Sequence, residues 1–250
     1  MYQRFRFNAN DTYEVEVYPA KIAVWEKYAP FTNRTGFFKL VEKEEFVSSG
    51  SSLSSKLRYE CLFNNLSQTI SRYITRDKAD GSPFRAVECG AGAFNTAQII
   101  GRLIQQSDLQ SKTFDVYDTF SGLPLSNFQP DLAHLKGLYS FDLDSFNKKM
   151  SRYAFAKPIP GLVPASLPEN DNNRYDFVHI DLDLYEGTAG ALSHFFPRMK
   201  RMGIIQLDDY NSIPWSGVNV AVDEYLSGQD SYHYFFQSIP LGGAYILKMI

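Results

Sequence analysis

Two acidic pairs carry the densest chemistry in this chain. Asp181-Leu182-Asp183 follows the apolar run Tyr175–Ile180, and Asp208-Asp209 follows Gly203–Leu207. Each run reads as a buried strand. Side chains alternate faces along a strand, which predicts that Asp181 and Asp183 point the same way. Carboxylates at the carboxyl edge of a buried parallel sheet cost stability unless a cation joins them. That edge is also where open α/β sheets bind ligands. The simplest chemistry is a hard divalent cation held by carboxylate oxygens, which lowers the pKa of a bound hydroxyl while a spare carboxylate removes the proton. The plainer alternative is helix capping and turn formation, the usual work of aspartate.

A second constellation is Val87-Glu88-Cys89-Gly90-Ala91-Gly92-Ala93-Phe94-Asn95-Thr96. Glycines after a strand let the backbone approach a ligand, and the helix that follows aims its N-terminus at it. A dinucleotide site would want Gly-x-Gly-x-x-Gly, but Asn95 stands at the third glycine position. Glu88 suits a cationic, phosphate-free ligand such as S-adenosylmethionine better than a pyrophosphate. Asp118 ends the next strand, where a carboxylate accepts the two ribose hydroxyls of a bound nucleoside. The alternatives are a structural turn for the glycines and a cap or surface acid for Asp118. His179, in mid-strand, reads as a buried, satisfied histidine, and Cys89 as packing. His134, His194 and His233 form no ligand spacing with His179.

These residues need elements to position them. Leu53, Leu57, Cys61, Leu62, Leu66, Ile70 and Ile74 fall near helical spacing, which predicts a helix over about 53–76. Asp80-Gly81-Ser82-Pro83 stops it. From Phe84 strands and helices alternate. Strands are expected at Arg85–Cys89, Thr113–Asp118, about 154–159, Tyr175–Ile180 and Gly203–Leu207. Helices are expected at about 95–107, 142–153, 186–200 and 217–227. The stretch from about 120 to 140 is a long loop, and loops of that length are often functional. The chain closes with a hairpin, Tyr232–Gln237 and Ala244–Lys248. The fold expected is α/β, a Rossmann-like class I methyltransferase sheet with an antiparallel last strand, plus an N-terminal helical or irregular extension. Residues 1–80 form the extension, for a lid, substrate or dimer contacts, and 81–250 the cofactor-binding core. Tyr13–Tyr18 alternates like a strand, and Ser48–Ser52 reads as flexible.

Composition sets the outer bounds. The chain has 250 residues, a net charge of −3 and 44% hydrophobic residues, enough for a full core. Mild acidity argues against a nucleic-acid footprint. Two cysteines, Cys61 and Cys89, imply a reducing compartment without disulfides. The first residues lack a signal-peptide core, and no apolar run reaches the ~20 residues that span a bilayer. A soluble cytoplasmic protein without membrane partners is expected. The aromatic surplus, 20 Phe and 16 Tyr, is compatible with a homodimer.

Five segments, taken in order, resemble the macrocin O-methyltransferase (TylF/MycF-like) family. They are Val87–Gly90, Tyr117-Asp118-Thr119-Phe120-Ser121-Gly122-Leu123-Pro124, Pro160–Pro168, His179-Ile180-Asp181-Leu182-Asp183-Leu184-Tyr185-Glu186-Gly187-Thr188, and Leu207-Asp208-Asp209-Tyr210. The helix holding Arg58 and Asn65 is similar to the one before the family's glycine turn. The resemblance implies an S-adenosylmethionine-dependent, Mg²⁺-dependent O-methyltransferase acting on a hydroxylated small molecule, a sugar or other natural-product intermediate. It implies Asp181, Asp208 and Asp209 as metal ligands and Asp183, with Asp181, as the catalytic pair. The cofactor contacts would be Glu88, Gly90, Gly92, Asn95, Thr96, Asp118, Phe120 and Asp181. The turn after Gly90 departs from the family's bulkier, more basic form, and residues 1 to about 50 match nothing. The rival readings are an NAD(P)-dependent Rossmann oxidoreductase, a non-catalytic S-adenosylmethionine-binding member, and a metal-dependent hydrolase.

Overall fold

A computed structural model describes residues 53–76, 81–239 and 242–250. The expected strand at Tyr13–Tyr18 and the flexible stretch at Ser48–Ser52 lie outside the described residues. The chain divides into two compact units, Met1–Lys56 and Leu57–Ile250. The description below concerns the second.

The elements run α1 (Leu53–Arg76), β1 (Phe84–Cys89), α2 (Asn95–Gln106), β2 (Lys112–Asp118), α3 (Leu143–Met150), β3 (Ala156–Pro160), β4 (Tyr175–Ile180), α4 (Tyr185–Phe195), β5 (Met199–Leu207), α5 (Ser216–Ser227), β6 (Tyr234–Ser238) and β7 (Ala244–Lys248). The strands form one seven-stranded sheet in the order β3-β2-β1-β4-β5-β7-β6. The first five are mutually parallel, and β7 runs antiparallel to both β5 and β6. This is the class I methyltransferase layout, with the antiparallel strand near the sheet's far edge.

All six residues of β4 are buried, as a central parallel strand requires. One sheet face carries Val87, Cys89, Val178, Ile180, Ile205 and Leu207 into a core shared with Leu192, Phe195, Val218 and Val222 of α4 and α5. Alternation sends Phe84, Glu88, His179 and Gln206 to the other face. There α1 docks, with Tyr73 edge-on to Phe84 at 5.4 Å and the Asn65 amide donating to Gln206 at 3.0 Å.

Three boundaries shift by three residues or more from the sequence expectation. The helix expected to reach residue 200 stops at Phe195, because Pro197 lacks the amide that would continue it; a short 3₁₀ turn, Phe196–Arg198, follows. β5 therefore starts at Met199, four residues before the predicted Gly203. The helix expected over 142–153 covers only Leu143–Met150, with Asp142 capping it by accepting from the Ser145 amide at 2.7 Å. Among the described residues no helix is long and apolar enough to cross a membrane.

Candidate active site

Strand order fixes where the site must lie. The chain winds outward from β1 to β2 and β3, then crosses back to β4 and β5 on the other side of β1. The order reverses between β1 and β4, and a crevice opens at the carboxyl ends there. Sheet hydrogen bonding continues one residue beyond these strands. Gly90 donates to the Tyr117 carbonyl, Asp181 to Cys89 and Asp208 to Ile180, each at 2.8 Å. Asp118, Gly90, Asp181 and Asp208 therefore form a row across four neighbouring strands.

Gly90 has φ 86°, and a Cβ built there would collide with the Asp181 carbonyl oxygen. Only glycine permits that approach of β1 to β4. Beyond it the turn is tied down by Asp118. One carboxylate oxygen accepts from the amides of Ala91 at 2.7 Å and Gly92 at 3.4 Å, and the other from Phe120 at 2.7 Å. The expected ribose acceptor thus also holds the glycine turn in shape.

The acidic pairs converge as a cluster. Carboxylate oxygens of Asp181, Asp208 and Asp209 lie within 4.8 Å of one another. Asp183 joins it beside Asp209, whose charge repels its own. Strand alternation does not aim Asp183, because β4 ends at Ile180. Its direction comes from a left-handed backbone, φ 60°, and Asp209 is the same at φ 61°. Such angles are uncommon outside glycine and concentrate at functional sites.

Charge is the dominant feature of this cluster. Burial, then the repulsion of Asp208, Asp183 and Asp209, pushes the Asp181 carboxyl well above its ordinary range. Burial and then Asp209 do the same to Asp183, and burial raises Asp208. The compensating cation comes from α1. The Arg58 guanidinium stands 3.1 Å from Asp208 and 2.9 Å from Asp209. Burial works against its charge, but Asp208, Asp209 and Asp181 outweigh that and hold it above its ordinary pKa. One guanidinium among four carboxylates leaves a negative excess. Three converging oxygen donors fit a hard divalent cation, which would offset most of that excess.

A cavity of about 460 Å³ joins these parts, within the range of small-ligand sites. The structure brings Gly90, Gly92, Asn95, Thr96, Asp118, Asp181, Asp183, Asp208 and Asp209 to its wall. Two expected contacts lie elsewhere. Glu88 is fully buried beneath the turn, where one oxygen meets His179 Nδ1 at 3.1 Å and the other has no hydrogen-bond partner. Alternation along β1 turns its side chain onto the α1 face instead of the crevice. Phe120, at φ 51°, packs against Phe94 and Phe146 with ring centroids 6.4 and 5.6 Å apart. His179 is buried against Glu88, a satisfied core histidine.

Sequence reasoning did not single out Tyr59, Tyr139, Trp215 or Glu186, which also line the cavity. Glu186 anchors the long loop. It accepts from Ser126 Oγ at 2.9 Å, the Asn127 amide at 2.6 Å and the Phe128 amide at 3.0 Å. Burial opposes its charge, but these donors hold its carboxyl below the ordinary range. The local signal was present, since an acid in the first turn of α4 suits the helix dipole. Its partners lie some sixty residues away.

The family model of the macrocin O-methyltransferases (TylF) matches residues 62–233. The chain belongs to that family. One relative is a tetracenomycin rhamnoside 4'-O-methyltransferase of Streptomyces olivaceus, 25% identical over 53% of this chain and 55% of that protein. Another is mycinamicin III 3''-O-methyltransferase of Micromonospora griseorubida, 24% identical over 59% of this chain and 61% of that one. The chain thus spans less than two thirds of each of these relatives. Among solved structures, the O-methyltransferase NovP superposes with a TM-score of 0.61 over 75% of this chain and 79% of NovP, at 22% identity, which establishes a shared fold.

Proposed function

We propose that this TylF-family chain transfers a methyl group from S-adenosylmethionine to a hydroxyl of a small molecule, a sugar or other natural-product intermediate, with Mg²⁺ or a similar divalent cation. The observation that carries this reading is one row of strand ends. It joins a glycine approach (Gly90), a ribose-side acid (Asp118) and a carboxylate cluster (Asp181, Asp208, Asp209) at the switch point of the sheet. O-methylation by the two relatives, one of them named for a rhamnosyl acceptor, supports it.

Asp181, Asp208 and Asp209 would hold the divalent cation. When bound, it supplies Lewis acidity that lowers the pKa of the acceptor hydroxyl. Gly90 and Gly92 admit the cofactor against the backbone, and Asp118 accepts from its ribose while keeping the turn in place. Asp183 takes the acceptor's proton. Its buried, charge-crowded position raises its proton affinity, as a general base requires. S-adenosylmethionine, when bound, would supply the methyl group, its sulfonium–carbon bond breaking as the acceptor oxygen bonds to the methyl carbon. Gly90, Gly92 and Asp118 would position the methyl donor and Asp183 the acceptor, so that the two meet at close range.

Isothermal titration calorimetry with S-adenosylmethionine and with NAD⁺, each with and without Mg²⁺, tests the assignment. Micromolar binding of S-adenosylmethionine and no response to NAD⁺ is expected. Binding of NAD⁺ alone, or of neither, would overturn it.

A further inference from the structure

Resting on the divalent-cation reading above, we infer that Asp223 of α5 is a positioning residue for the metal site. Through the hydroxyl of Tyr210 it holds the turn that aims Asp209, and the affinity for the cation depends on that link.

The argument starts from the backbone after β5. Asp209 has φ 61° and Asn211 has φ 64°, so one short turn holds two non-glycine residues in the left-handed region. A Cβ is disfavoured there, and such residues persist only where their surroundings over-determine them. A relaxed turn would carry the Asp209 carboxylate out of its cluster with Asp181 and Asp208.

The surroundings act from two sides. On the side of the closing hairpin, the Gly243 amide donates to the Tyr210 carbonyl at 2.6 Å, and Phe236 of β6 meets the Tyr210 ring edge-on at 5.1 Å. On the side of α5, the Asn211 amide donates to Asn219 Oδ1 at 2.7 Å and the Tyr210 hydroxyl donates to Asp223 Oδ1 at 2.8 Å. Asn219 and Asp223 are four residues apart, hence neighbours on one helix face. The same helix buries Val218 and Val222 in the core. The turn is therefore fastened to a fixed support, and the bond to Asp223 is charge-assisted.

A second link stands beside the first. Tyr185 follows Asp183 by two residues, and its hydroxyl donates to Glu224 Oε2 at 2.7 Å. Asp183 is likewise left-handed, at φ 60°. Adjacent acids of one helix thus hold, each through a tyrosine, two turns that carry left-handed aspartates. Of these two aspartates, Asp209 belongs to the three-carboxylate cluster. The two links consequently have different consequences for the cation.

Isothermal titration of the full chain with Mg²⁺ tests the inference. Tyr210→Phe keeps the ring against Phe236 and removes the donor. It should weaken Mg²⁺ binding by about tenfold or more, the scale for groups that orient metal ligands. Asp223 is exposed, so Asp223→Ala should leave the melting temperature of the metal-free protein unchanged while weakening Mg²⁺ binding to the same extent. The double variant should be no weaker than either single one, because both remove the same link. Asp223→Asn keeps an acceptor oxygen without the charge, and should recover most of the affinity. Tyr185→Phe should stay within about twofold of the wild type. Unchanged Mg²⁺ affinity in Tyr210→Phe or Asp223→Ala, an Asp223→Asn as weak as Asp223→Ala, or an equal loss in Tyr185→Phe would each overturn the inference. The wild-type titration is read first. No Mg²⁺ binding there would overturn the divalent-cation reading and this inference together, whereas wild-type binding with unmoved variants would remove the positioning role alone.

Discussion

The Arg58 guanidinium donates to Asp209 Oδ1 at 2.9 Å, a contact between residues 151 apart in the sequence. It ties α1 to the end of β5 at the most acidic point of the cavity. The tie is reinforced nearby, where Gln206 donates to the Arg58 carbonyl at 3.3 Å and accepts from Asn65 at 3.0 Å. Replacing Arg58 by Met leaves four crowded carboxylates without their cation. Removal of one partner of a mostly buried ion pair costs about 3 kcal/mol. Urea unfolding at neutral pH without metal should show that loss, and Mg²⁺ should restore part of it. An unchanged midpoint would mean that the guanidinium does not stabilise the cluster.

The carboxylates of Asp181, Asp183 and Asp208 are raised in the folded state above their ordinary value of 3.8, first by burial and then by neighbouring carboxylates. A folded-state carboxyl with a raised pKa binds more protons than the unfolded chain, so its contribution makes stability fall as pH rises above 3.8. A divalent ligand that neutralises the cluster should therefore stabilise most at neutral pH and least in acid. Melting temperatures with and without Mg²⁺ from about pH 5 to about pH 8 check this. A Mg²⁺ effect independent of pH would contradict it.

Asp183→Asn should reduce turnover by at least about a hundredfold, the scale of general acid–base catalysis, while S-adenosylmethionine still binds. Calorimetry alongside a methyl-transfer assay separates the two effects. Full activity in this variant would remove Asp183 as the base.

Gly90→Ala places a methyl group against the Asp181 carbonyl at φ 86°. The strained backbone alone costs on the order of 1–3 kcal/mol, and the collision forces β1 and β4 apart. Both a lowered melting temperature and weakened S-adenosylmethionine binding should follow. Normal binding would show that the close approach at the switch point is dispensable.

Glu186 holds the amides of Asn127 and Phe128, and its carboxyl is depressed from 4.5 by these donors despite the cost of burial. A depressed carboxyl holds its loop fully above its ordinary pKa and releases it as pH falls through the folded value. Hydrogen exchange at Asn127 and Phe128 should be slow at neutral pH and accelerate in Glu186→Gln. Equal exchange in both proteins would place the loop's anchor elsewhere.

Much of this architecture is legible in the residues alone. Apolar runs set the strands, and glycine and acid positions immediately after them set the ends. Gly90, Asp118, Asp181 and Asp208 could thus be placed on one edge before any coordinates, because parallel strands share a direction and the carboxyl ends must coincide. Boundaries were less secure where a competing local effect intervened, as at Pro197, which cut α4 short.

What the sequence could not determine was direction and partnership. Asp183 is aimed by a left-handed turn and not by strand alternation, Glu88 faces the α1 side, and Phe120 turns into an aromatic cluster. Asp183 and Phe120 depend on backbone angles that no spacing rule encodes; alternation sets the face of Glu88, and packing alone puts α1 over it. Arg58 and Glu186 find their partners 151 and about sixty residues away. A buried acidic cluster announces that it needs a cation. Only the tertiary structure, by folding α1 across the sheet, decides which residue supplies it.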